Sequence, residues 1–196
     1  NVSTTASHKH LGLIVDANKT LTINGTNELN NTWYLELNGT IDLKEDSQLV
    51  QTDISDLAVT SAGKILRRQE GLSSMYRYNY WSSPVGIQNT TSNNNDYNMS
   101  MLEDAAGSIQ FVSTYDVPVT SPATLSTYWM YTYINGLTYY DWQAITPSTN
   151  IPVGTGYTQK GPGVAGTEHQ YIFSGKPNNG EILVSFTDTG GAGSVP

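Results

Sequence analysis

Carboxylates, histidines and aromatic rings are the side chains in this sequence with the chemistry to do something beyond folding. The acidic residues gather once, at Asp42, Glu45, Asp46, Asp53 and Asp56. Acid-base catalysis needs two carboxylates converging across a cleft, which sequence spacing alone does not supply, so the group is read as a solvated turn. Oxygen ligands in a loop also suit calcium, but no Asp-x-Asp-x-Asp-Gly spacing occurs, and a structural calcium ion is only a weak expectation. His8 and His10 alternate near the start while His169 stands alone, which predicts exposed histidines and no metal site. Gly154-Thr-Gly-Tyr-Thr-Gln-Lys-Gly161 has its lysine before the closing glycine and Pro162 after it, so it is not a phosphate loop. No Gly-x-Ser-x-Gly elbow is present, and no catalytic residue or cofactor is assigned; the chain is expected not to be an enzyme.

The aromatic residues carry more. Trp129, Tyr131, Tyr133, Tyr139, Tyr140 and Trp142 cluster in sequence, and rings on one β face make a platform for sugars, with a hydroxyl or indole N–H at the edge. The same rings can instead fill the space between two sheets, an alternative favoured by the presence of only 3 phenylalanines. Tyr76, Tyr78 and Tyr80 repeat the alternation, with Arg77, Asn79 and Trp81 on the opposite face.

The elements that position these residues are strands. Leu11, Leu13 and Val15, Leu21 and Ile23, Leu35 and Leu37, and Ile41 and Leu43 follow period two, punctuated by Asn24-Gly25 and Asn38-Gly39. The parallel between Leu21-Thr-Ile-Asn-Gly-Thr and Leu35-Glu-Leu-Asn-Gly-Thr leaves two arrangements open, stacked solenoid rungs or hairpins with positive-φ turns. Further strands are expected at 156–160, 171–173 and 182–186, and a hairpin at Asn135-Gly136 whose return strand holds Tyr139, Tyr140 and Trp142. Residues 89–100, rich in Asn, Thr and Ser, are expected as an exposed excursion. The fold class expected is all-β: a short solenoid-like or hairpin region over 1–62, then an aromatic-rich β-sandwich over 63–196.

Composition narrows the partners. With no cysteine, neither a disulfide framework nor a thiolate metal site can form. A net charge of −8 repels nucleic acid and anionic lipid. No apolar run is long enough for a bilayer span, and charged residues make up only 13% of the chain, which suits a secreted protein. Beginning at Asn1 and ending in a glycine-rich tail, the chain is expected to be mature or excised sequence.

Tyr76-Arg-Tyr-Asn-Tyr-Trp-Ser-Ser-Pro-Val-Gly86 and Tyr171-Ile-Phe-Ser-Gly-Lys-Pro-Asn-Asn-Gly-Glu-Ile182 resemble large secreted surface proteins of Bacteroidetes, especially flavobacteria. Trp129-Met-Tyr, 154–161 and 35–51 are similar in order and spacing, so the resemblance covers most of the chain. It implies export by type IX secretion, display at the cell surface and an adhesin-like role, without catalytic residues. The chain departs from that pattern in ending shortly after Phe186, without the C-terminal sorting domain. The expected function is a structural or adhesive module that assembles with other copies or domains of the surface protein, with strand addition into filaments as one form. The alternative is a carbohydrate-binding module whose partners are glycans.

Overall fold

The apolar alternation of the first third of the sequence winds into a coil of parallel strands in the computed structural model, which describes residues 1–185. The coil contains β1 (Val2–Thr4), β2 (His8–Val15), β3 (Thr20–Ile23), β4 (Glu28–Leu37), β5 (Thr40–Leu43), β6 (Gln48–Gln51), β7 (Asp56–Leu57) and β8 (Lys64–Leu72). One wall is β1-β3-β5-β8, all parallel, with Leu21 opposite Ile41 and Ile41 opposite Ile65. The facing wall pairs β2 with β4, and β4 with β6 and β7, placing Leu13 opposite Leu35 and Leu35 opposite Leu57. Parallel partners about 20 residues apart are the signature of a solenoid; hairpins would pair antiparallel. Of the two arrangements the sequence left open, the solenoid is therefore the one formed, with about 3 turns.

Like residues stack inside the coil. Ile23, Leu29, Leu35, Leu37, Ile41, Leu43 and Leu57 are all buried. Each contributes about 1.5–3 kcal/mol relative to an exposed side chain. The corners stack too: Gly39 N–H donates to the Val15 carbonyl, Gly63 N–H to that of Leu37, and Lys64 N–H to that of Gly39. A Cβ on Gly39 would collide with the carbonyl oxygens of Asp16 and Lys19, and one on Gly63 with those of Leu37 and Gly39. Close approach of backbones is thus what requires glycine in Asn38-Gly39, whereas in Asn24-Gly25 it is a positive φ of 69°.

The acidic group splits. Asp42 is not part of a solvated turn: it is buried, accepts from Arg68 Nη1 at 2.6 Å and pairs with Lys44 Nζ at 3.0 Å. Arg68 also donates to the Leu43 carbonyl. Glu45, Asp46, Asp53 and Asp56 are exposed as expected.

Beyond the coil come β9 (Tyr78–Trp81), β10 (Val85–Gly86), β11 (Leu102–Asp104), β12 (Gly107–Ser108), β13 (Gln110–Val112), β14 (Thr124–Ser126), β15 (Tyr131–Thr132), β16 (Gln143–Ala144), β17 (Tyr157–Lys160) and β18 (Glu168–Pro177). β18 runs antiparallel along β8, from Glu168 opposite Leu72 to Gly175 opposite Ile65, and β11 and β12 extend the sheet further. The boundary expected between 62 and 63 falls at the last corner of the coil. β8 belongs to both sides of it, and one hydrophobic cluster runs from Val15 to Phe173. A separate antiparallel sheet, β16-β15-β17-β9, packs on the first through Trp81, whose ring meets Tyr171 at 5.2 Å and Phe173 at 6.2 Å. Trp81 rests where a side chain on Gly71 would lie.

Three expectations are corrected. The Asn-rich stretch is docked, not an exposed excursion: Asn93 donates to the Leu57 carbonyl, Asn94 to Asn179 and Asn95 to Ile87, while Tyr97 is buried. Lys176 is buried beneath it, donating to the carbonyls of Val59, Asn89 and Ser92. The Asn135-Gly136 turn does not return at once. Its loop includes a single 3-10 turn at Tyr139–Asp141 before β16 pairs Gln143 with Thr132. Of the strand expected at 182–186, residues 182–185 are irregular and Phe186 lies outside the described residues. Among the described residues no helix is long and apolar enough to cross a membrane.

Candidate functional site

Alternation on the small sheet decides which rings face water. On β9, Asn79 is buried and Trp81 packs against the core, while Tyr78 and Tyr80 take the other face. Around β15, Met130 and Thr132 are buried, leaving Trp129, Tyr131 and Tyr133 outward. β17 buries Tyr157 and Gln159 and places Thr158 between Tyr80 and Tyr131, with Lys160 opposite Tyr78. Eight rings thereby line one cavity of about 400 Å³: Tyr78, Tyr80, Tyr128, Trp129, Tyr131, Tyr139, Tyr140 and Trp142, with Thr158 at its floor.

Five of the six residues expected as a platform come together in this cavity. Tyr133 is the exception: with Trp142, Tyr80 and Trp81 it lines the adjoining cavity of about 340 Å³. None of the six is buried, and Tyr139 and Tyr140 are 81% and 90% exposed, so the alternative in which these rings fill the space between sheets does not hold. Tyr78, Tyr80 and Tyr128 were missing from the expected set. The alternation at 76–80 already separates Tyr78 and Tyr80 from Asn79, but nothing in the sequence ties that strand to β15; β17 lies between them and pairs with both.

The rings are held by specific contacts. Trp129 donates through Nε1 to the Tyr115 carbonyl at 3.0 Å and is flanked edge-on by Tyr115 and Tyr128 at 4.6 and 4.7 Å. Lys160 Nζ sits 3.2 Å from the Trp129 ring centroid, a cation–π contact that fixes the indole. Desolvation lowers the Lys160 pKa, partly opposed by Asp116. Burial raises that of Tyr78, with neighbouring tyrosines adding to it.

The loop at Tyr139 and Tyr140 has its own clasp. Asp141 Oδ2 accepts from the backbone N–H groups of Thr138 at 2.6 Å and Leu137 at 2.7 Å, bonds that hold its carboxyl below the usual carboxylate range. Tyr133 donates through its hydroxyl to the Thr138 carbonyl and packs on Trp142 at 5.0 Å.

The other candidate groups lie elsewhere. His8 and His10 stack at 5.9 Å on the first turn of the coil, with His8 Nε2 2.7 Å from Thr4 Oγ1. His169 Nε2 is 3.5 Å from Asp104 Oδ2, and that carboxylate already accepts from the Ala106 and Ala123 N–H groups. Among the described residues no three metal-ligating side chains gather. Among the described residues the aromatic cavity is lined by eight rings and Thr158, which offer stacking on ring faces and hydrogen bonding at phenol edges. Set against protein-family models, curated proteins and solved structures, the chain matches none of them.

Proposed function

We propose that this chain is a non-catalytic recognition module of a secreted cell-surface protein, and that the aromatic face of its small sheet binds saccharide. The observation that carries this reading is the placement of eight aromatic side chains around a solvent-open cavity, outside the buried core in which Tyr97, Tyr157, Tyr171 and Phe173 pack among aliphatic residues. Rings left exposed gain no burial free energy on folding, and a contiguous exposed aromatic patch marks an interaction site. Sugar rings suit the face because their apolar CH surfaces stack on indole and phenol while their hydroxyls meet the phenol edges. The test is a glycan array probed with the protein and with Trp129→Ala and Trp142→Ala. Saccharide binding is expected, weakened about 10-fold or more by either substitution with the fold retained. Absence of any ligand, or binding that both variants retain in full, would contradict the reading.

Self-association by strand addition is a second reading, favoured by the first turn of the coil. Among the described residues β1 and β2 each pair on one side only, and Val2 and Leu11 are exposed there. A second copy adding its own first turn would cover both. Light scattering across rising concentration is expected to show dimers that Leu11→Lys prevents; a monomer at every concentration removes this reading.

A further inference from the structure

The aromatic cavity does not stand alone. It shares Tyr80, Trp142 and Thr158 with the cavity that Tyr133 lines, and that cavity shares Tyr80, Trp81 and Ser82 with a third of about 500 Å³ reaching Arg67 and Gln69. Tyr80 is a wall of all three and is 66% exposed. We propose, resting on the saccharide reading, that the ligand is an internal stretch of an uncharged polysaccharide lying along all three cavities past Tyr80.

The lining changes character along this path. At the Trp129 end it is almost wholly aromatic, which suits stacking. Ser82 and Thr158 follow, and at the far end Arg67 and Gln69 offer hydrogen bonds to hydroxyls. Arg67 uses Nη1 on the Glu45 carbonyl at 3.2 Å and retains further N–H groups of its guanidinium. A site for a chain end would concentrate its polar groups around one terminal ring, whereas here they succeed the aromatic section.

Charge selects the polymer. Among the described residues no Asp or Glu lines any of the three cavities, so a cationic polymer finds no counter-charge from them there. A polyanion meets a protein of net charge −8 with one lining guanidinium to offset it. An uncharged chain incurs neither cost.

The experiment is calorimetric titration with cello-, xylo-, manno- and chito-oligosaccharides from two to six rings, alongside a hexauronate. In at least one neutral series affinity is expected to rise about 10-fold or more from dimer to hexamer. Tyr80→Ala should bring the hexamer back towards the dimer's affinity, and Gln69→Ala should lower only the longest oligomers. The exposed position of Tyr80 leaves folding intact, which the melting temperature of the variant checks. Equal affinity for dimer and hexamer in the series that binds, or tighter binding of the hexauronate, overturns this inference while leaving saccharide binding in place. No binding in any series overturns both.

Discussion

Above pH 10 the protein is expected to unfold before the phenols of Tyr97, Tyr157 and Tyr171 ionise. All three are buried between the sheets, and desolvation pushes each well above the ordinary tyrosine value of 10.0. Tyr97 also donates to the Thr155 carbonyl at 2.6 Å, a bond that ionisation would abolish. In the unfolded chain these phenols lose their protons near pH 10, so above that pH the folded state binds more protons than the unfolded state. Stability then falls with rising pH, by about 1.4 kcal/mol per pH unit for each tyrosine.

Lys160 and Lys176 act in the opposite sense over a lower range. Desolvation lowers both pKa values, so between the lowered values and 10.5 the unfolded chain binds more protons and stability rises with pH. Past 10.5 both lysines are neutral in either state and no longer oppose the tyrosines. Alkaline titration followed by near-ultraviolet phenolate absorbance and circular dichroism should show a cooperative step in which the phenolates of Tyr97, Tyr157 and Tyr171 appear together as the fold is lost. Smooth ionisation of every tyrosine with the dichroism unchanged would refute the burial assignment.

Replacing Lys176 by methionine should cost about 3 kcal/mol or more of stability. The lysine stem is buried, and Nζ donates to the carbonyls of Val59 at 2.8 Å, Ser92 at 3.0 Å and Asn89 at 3.2 Å. Methionine fills a similar volume but leaves these three carbonyls without that donor, and a hydrogen bond to a charged group is worth about 1.5–3 kcal/mol. The loss falls on one place. Val59 lies in the coil and Asn89 and Ser92 in the Asn-rich loop, so the ammonium fastens that loop to the end of the solenoid. Hydrogen exchange in the variant is expected to rise first over 88–95, with a lowered midpoint in denaturant. A variant that unfolds at the wild-type midpoint would show that the ammonium contributes nothing net.

The sequence was most legible where a pattern is local and repeated. Alternation from Leu13 to Leu43 marks both walls of the coil, because strand side chains point to opposite faces and the coil buries one of them. Leu11, expected on the same face as Leu13 and Val15, is exposed instead, beside the register shift between His10 and Gly12. Non-local pairing was not legible. The amides of Asn93 and Asn94 read as solvent-seeking, yet their acceptors at Leu57 and Asn179 are far away in the chain. Asn135-Gly136 carries a strong hairpin signal, but Asp141 captures the N–H groups of Leu137 and Thr138 and turns the chain into a 3-10 turn instead.

For the candidate site, periodicity separated Tyr131 from Met130 and Tyr80 from Asn79 without saying which side faced the core. Volume favoured either choice. The packing of Trp81 against Tyr171 and Phe173 fixes it, and those partners come from the far end of the chain.

The four tryptophans offer the most direct test of the central claim, that the outward rings of the small sheet are the binding surface. Trp129 and Trp142 line the aromatic cavity and Trp81 its neighbour, whereas Trp33 is exposed on the coil and serves as an internal reference. Indole N–H resonances followed by NMR during titration with the bound saccharide are expected to shift for Trp129 and Trp142 and to stay fixed for Trp33. Movement of Trp33 alone, or of none of the four while saccharide binds, would contradict the account.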